Sequence, residues 1–178
     1  MWLPEAERAL DLLVASGATV ACAESLTGGL LAARLADVPG ASRSLVGGVV
    51  SYATRVKVSL LEVPEAVVAR HGVVSGECAA AMAQGVRRRL DATWALSTTG
   101  VAGPDPQEGH PAGTVWVGVA GPDVLETRLL ALEGDRTAVR EATCSAALDL
   151  LVETMRGSSP GKKPSSGSVG PTTPLERE

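Results

Sequence analysis

Residues 19–36 read TVACAESLTGGLLAARLA. Thr19 to Ala23 is a short β-prone run and predicts a strand. Gly28 to Ala36 predicts a helix, and a glycine pair separates the two. A strand that empties through a glycine turn into a helix is the repeating unit of α/β folds.

The neighbouring segments extend the same pattern. Upstream, Ala6, Ala9, Leu10, Leu13 and Val14 recur at helical spacing between Pro4 and Ser16, with Gly17 as the stop. Downstream, Leu45 to Tyr52 predicts a second strand, Arg55 to Leu61 a short helix, and Pro64 to Arg70 another that stops at His71-Gly72. Ser75 is a good N-cap for a helix reaching about Leu90, with Ala79, Met82, Ala83, Val86 and Leu90 on one face. Thr93 to Thr98 predicts a third strand. Thr114 to Ala120 and Val124 to Leu132 are separated only by Gly121-Pro122-Asp123, which makes them an antiparallel hairpin. The last helix is expected from Arg136 to Met155, capped by Asp135, with Val139, Ala142, Ala146, Leu150 and Leu151 as its buried stripe. Five strands interleaved with helices predict a three-layer α/β/α sandwich around a mixed, mostly parallel five-stranded sheet.

The chain has 178 residues, enough for one domain with a single core. Residues 1–156 are read as that domain. From residue 157 to 178 the composition turns to Ser, Gly, Pro, Thr and Lys, and a disordered tail is expected, because such a segment buries too little to offset its ordering entropy.

Hydrophobic residues make up 45% of the chain and aromatic ones 2%, with no Phe, so the core must be built from Val, Leu and Ala. Scarce aromatics and a net charge of −4 argue against a nucleic-acid surface, which needs stacking rings and a basic footprint. Arg87-Arg88-Arg89 is read as the cationic end of a helix. The odd number of cysteines, Cys22, Cys78 and Cys144, in apolar settings predicts buried free thiols and a reducing compartment. The only histidines, His71 and His110, do not pair with Cys at metal-ligand spacing, so no metal and no cofactor are expected. The acidic N-terminus is unlike a signal peptide, and no apolar run reaches ~20 residues, so a cytoplasmic protein without membrane contact is expected. The sequence leaves a homo-oligomer open.

Four segments carry candidate chemistry. In AESLTGG (23–29), Glu24, Ser25, Thr27, Gly28 and Gly29 lie where a strand ends and a helix begins. Free helix N–H groups there could stabilise an oxyanion beside a Ser25 nucleophile, and the glycines would let a ligand approach. Ser25 or Thr27 could equally be a plain N-cap. In SYATRVK (51–57), Tyr52 and Lys57 follow a strand end, and a lysine with a lowered pKa can act as a base. The glycine turn of STTGVAGPD (97–105) could offer Thr99, Gly100 and Gly103 to a phosphate, or be an ordinary loop. Arg136 and Arg140 share a face at the start of the last helix. That placement opposes the helix dipole and suits an anion, or else a salt bridge to Asp135 or Glu141.

Together these pieces, with HGVVS (71–75), PAGTVWVGV (111–119) and GDRTAVR (134–140), resemble the competence/damage-inducible protein C-terminal-domain family, which includes stand-alone nicotinamide-nucleotide amidases. The resemblance covers about residues 5–155. It implies hydrolysis of the carboxamide of nicotinamide mononucleotide to nicotinate mononucleotide and ammonia, with Ser25 as nucleophile, Lys57 as its base and Tyr52 assisting. It also implies that Thr99 and Arg140, with Arg136 in reserve, bind or orient the nucleotide. The chain departs from the family pattern at Ala53-Thr54 and over residues 105–111. The competing expectation is a non-catalytic nucleotide- or protein-binding regulatory module.

Overall fold

The computed structural model describes residues 3–158. The elements run α1 (Pro4–Ala15), β1 (Val20–Glu24), α2 (Leu30–Ala36), a 3-10 turn (Ala41–Arg43), β2 (Leu45–Val50), α3 (Thr54–Leu61), α4 (Glu65–His71), α5 (Gly76–Arg89), β3 (Trp94–Gly100), β4 (Thr114–Ala120), β5 (Leu125–Ala131) and α6 (Arg136–Gly157). The sheet order is β2-β1-β3-β4-β5. β1 lies parallel to β2 and to β3, while β4 is antiparallel to β3 and to β5. Four of the five strands therefore point the same way, and the expected mixed α/β/α sandwich is present.

Alternation along the strands divides the core. Val20, Cys22, Trp94, Leu96, Val115, Val117 and Val119 pack against α1, α2 and α6. Ala21, Ala23 and Ala95 face α5 with Met82 and Val86. Small residues on the α5 face allow close approach. Ser97 Oγ donates to the Ala79 carbonyl at 2.6 Å, and a Cβ on Gly118 would meet both groups.

Helix ends are where the structure departs most from the sequence reading. α2 starts at Leu30 rather than Gly28, because Gly28 and Gly29 hold φ values of 60° and 98°. Left-handed backbone is cheap for glycine and cannot continue a right-handed helix. β2 ends at Val50, and Ser51-Tyr52-Ala53 forms the turn into α3. α6 continues past Met155 to Gly157, and its deepest side chains include Thr143, Cys144, Ala147 and Leu148 beside Leu150 and Leu151. Ala142 and Ala146 are only half-buried, since α6 is flanked by α1 and α2 as well as the sheet. Ser75 and Asp135 cap α5 and α6 as expected, accepting from the N–H of Cys78 and Ala138. All three cysteines are buried free thiols. No described helix is long and apolar enough to cross a membrane. The tail expectation, for residues 159–178, lies outside the described residues.

Candidate active site

Glu24 closes β1, the central parallel strand, and the chain leaves the sheet through Ser25. The Ser25 N–H still donates to the Thr98 carbonyl at 2.9 Å, so the first residue of the turn remains tied to β3. On the other side Ser51 N–H donates to the Glu24 carbonyl at 2.7 Å. The carboxyl ends of β2, β1 and β3 are thereby drawn together, the usual place for a ligand in an open α/β sheet.

α3 then returns Lys57 to this point from the first turn beyond β2. Its side chain is 1% exposed. Nζ lies 2.9 Å from Ser25 Oγ, 2.6 Å from the Ser51 carbonyl oxygen and 3.4 Å from the Tyr52 carbonyl oxygen. Two carbonyls and one hydroxyl match the needs of a neutral amine, which donates its two N–H bonds to the carbonyls and offers its lone pair to the serine O–H. Burial pushes the Lys57 pKa below its ordinary value, against smaller opposing influences of Cys78 and Glu108.

The Ser25 turn is held from both sides. Buried Glu24 accepts N–H bonds from Gly29 and Leu31 on Oε2 and from Ala32 on Oε1, at 2.9, 3.0 and 2.9 Å. It caps α2 at long range. The helix N–H groups expected to serve an oxyanion are therefore already used, because a carboxylate one residue before the turn reaches them first. The N-cap position of α2 is Gly29, so neither Ser25 nor Thr27 caps it. Thr27 Oγ1 instead bonds Thr98 Oγ1 at 2.7 Å inside the core. Among the described hydrogen bonds, the N–H groups of Leu26 and Thr27 donate to no protein acceptor. Leu26 lines the cleft above Ser25.

The arginines separate. Arg140 donates from Nε to the Leu26 carbonyl at 3.1 Å and from Nη2 to the Thr27 carbonyl at 2.6 Å, so it braces the turn from behind. It does not line the cleft. Arg136 does, donating to the Gly103 carbonyl at 3.0 Å and the Tyr52 hydroxyl at 2.8 Å. Neither pairs with Asp135, which caps α6, or with Glu141, which pairs with Arg34.

Thr99, Gly100 and Gly103 also line the cleft. The Thr99 hydroxyl donates to the Val73 carbonyl at 2.6 Å, fixing the 72–75 segment to β3. Gly28 and Gly29 shape the turn through their φ angles rather than by admitting a ligand. The sequence reading missed Thr54, Val73, Asp105 and Gln107 as further walls. Asp105 carried a signal, a charged side chain in a Gly-Pro turn just past a strand end, and Val73 carried none. Neither histidine is in the cleft. His71 ends α4 with Nδ1 3.4 Å from Glu77, and His110 bridges to Gln107. Among the described residues no cluster of His, Cys, Asp and Glu is placed to hold a metal.

The sequence profile described as the CinA C-terminal domain matches residues 4–155. The chain belongs to the CinA C-terminal domain family. It is 57% identical over 148 residues to a CinA-like protein of Frankia casuarinae, covering 83% of this chain and 34% of that protein. It is 47% identical over 147 residues to a putative competence-damage inducible protein of Desulforamulus reducens, covering 83% and 36%. The chain thus spans about a third of the length of these curated relatives. The crystal structure of a CinA superfamily protein from Klebsiella pneumoniae superposes with a TM-score of 0.84 at 32% identity, covering 86% of this chain and 96% of that one. The competence/damage inducible protein CihA of Agrobacterium tumefaciens gives a TM-score of 0.80 at 28% identity, covering 88% and 98%. In this CinA domain, the Ser25–Lys57 contact sits at the mouth of the parallel strands.

Proposed function

We propose that this CinA domain hydrolyses the carboxamide of nicotinamide mononucleotide through a Ser25–Lys57 dyad. The observation that carries the proposal is the buried Lys57 amine 2.9 Å from Ser25 Oγ. A lysine this deep, with its pKa lowered by burial and no carboxylate bonded to it, suits a base better than a structural cation.

The reaction needs no other protein base. Ser25 Oγ attacks the carboxamide carbon while Lys57 Nζ takes the hydroxyl proton. The Leu26 N–H stands next to the nucleophile as a donor for the oxyanion. Lys57 returns its proton to the departing nitrogen, ammonia leaves, and an ester to Ser25 remains. Water then attacks the ester, Lys57 takes its proton and restores the Ser25 hydroxyl, and nicotinate mononucleotide is released.

Adding nicotinamide mononucleotide to the purified chain should therefore release ammonia and the acid in equal amounts, and EDTA should not stop it. No ammonia would leave a nucleotide- or protein-binding module as the reading. Loss on chelation that zinc or magnesium restores would sink the dyad mechanism.

Arg136 is the phosphate ligand in this reading, because it reaches the cleft and Arg140 does not. Arg136→Ala should raise KM for the mononucleotide about tenfold with little change in kcat, as expected for one charge-assisted contact. Nicotinamide riboside, which lacks the phosphate, should be spared. Arg140→Ala should lower kcat for both substrates alike by loosening the turn that carries Ser25. The opposite assignment of the two effects would return the phosphate to Arg140.

A further inference from the structure

Asp105 and Arg136 line the same cleft with opposite charges, yet they do not pair. Arg136 is engaged by the Gly103 carbonyl and the Tyr52 hydroxyl. The Asp105 carboxylate has no hydrogen-bond or ion-pair partner among the described residues. Its loop is nonetheless tied down on both sides. Before it, Arg136 holds the Gly103 carbonyl. After it, Gln107 and His110 form a short bridge, and Glu108 accepts the N–H groups of Val73 and Val74 at 2.9 and 3.3 Å. A Cβ on Gly72 would press on the same Glu108 carboxylate at 2.5 Å, so this contact depends on glycine there. Two unlike charges held apart in one cleft give up their mutual attraction. They complement a ligand that itself carries a cation and an anion at separate places.

The geometry points to Asp105 as the residue that selects a cationic ring, with Arg136 taking the anion at the other end of the same ligand. This rests on the amidase reading and adds to it the charge state of the substrate. In nicotinamide mononucleotide the ring nitrogen is a pyridinium cation two ring bonds from the carbon that bears the carboxamide. Delivering the carboxamide to Ser25 therefore brings the positive ring into the cleft beside Asp105 and leaves the phosphate toward Arg136 and Tyr52. The reduced dihydropyridine nucleotide has the same atoms in nearly the same places but a neutral ring, and it gains nothing from the carboxylate.

The test is calorimetric binding of the oxidised and reduced mononucleotides to the full chain carrying Ser25→Ala, which removes turnover, at low salt. Adding Asp105→Asn should weaken the oxidised ligand about fivefold, the scale of one solvent-accessible ion pair, and leave the reduced ligand unchanged. Asp105→Glu, which keeps the charge, should keep the preference. Equal weakening of both ligands, or no weakening of the oxidised one, overturns the assignment. Ammonia release by the unmodified chain reads the amidase proposal separately. An active enzyme blind to Asp105→Asn sinks only the charge selection, and an inactive one that keeps the charge preference sinks only the chemistry.

Discussion

Ser25→Ala and Lys57→Ala should each lower ammonia release by about 10⁴-fold or more, and the double variant should be little worse than either alone. Groups that act as one unit lose their joint effect when the first is removed. Lys57→Arg should be as inactive as Lys57→Ala, because a guanidinium does not give up its proton at working pH. An active Lys57→Arg protein would mean that position 57 supplies only charge and that the base lies elsewhere.

The same dyad sets the pH dependence. Lys57 works as a base only when neutral. Its pKa is lowered from the ordinary value of about 10.4 by burial, so the neutral fraction grows as pH rises through that lowered value. Activity is therefore low in acid and climbs to a plateau on the alkaline side, with the midpoint below the ordinary lysine range. A kcat/KM profile that falls over that same rise would contradict a lysine base. Melting curves of Ser25→Ala and Lys57→Ala close to that of the parent would assign the losses to chemistry rather than to folding.

The largest effect on stability is expected at Gly85, on the inner face of α5. A Cβ there would fall on the Leu61 carbonyl oxygen, with the Leu61 carbonyl carbon at 2.9 Å and its Cα at 3.2 Å. All three are backbone atoms at the end of α3, so no side chain can swing away. Alanine is the better helix former by about 1 kcal/mol, but overpacking against backbone costs about 3 kcal/mol, and the clash wins. For a domain of this size the melting temperature of Gly85→Ala should fall by roughly 5–10 °C. Gln84→Ala, at the exposed neighbour, should leave it nearly unchanged. Turnover should fall as well at temperatures where Gly85→Ala remains folded. Its relief is to push α3 outward, and α3 carries Lys57 one turn before Leu61. A melting temperature equal to the parent's would show that α3 and α5 have slack between them.

Much of the fold was legible because apolar periodicity reports which face of an element is buried. The run from Thr19 to Ala23 has no polar residue after Thr19, as a strand covered on both sides requires, and β1 is buried from Val20 to Glu24. Gly121-Pro122-Asp123 announced the β4–β5 hairpin, and Ser75 and Asp135 announced the starts of α5 and α6. The site was legible as a set of strand ends, since Ser25, Tyr52 and Thr99 each follow an apolar run.

Periodicity is silent about which residues of one face meet which neighbour across space. Ser25 and Lys57 are 32 positions apart, and only the parallel pairing of β1 with β2 brings the Lys57 amine onto Ser25 Oγ. Arg136 and Arg140 are equivalent by spacing. One helical turn, about 5.4 Å of rise, puts the first at the cleft and the second behind the Ser25 turn. Glu24 reads as a ligand residue because it is charged at a strand end, yet its carboxylate is spent on the N–H groups of α2. The sequence by itself determined the layers, the strand ends and the nucleophile's turn, because those follow from local burial and backbone preference. The tertiary structure alone decided the proton acceptor's distance, the division of labour between the two arginines and the unpaired Asp105, because these depend on separations of a few ångström between elements distant in the chain.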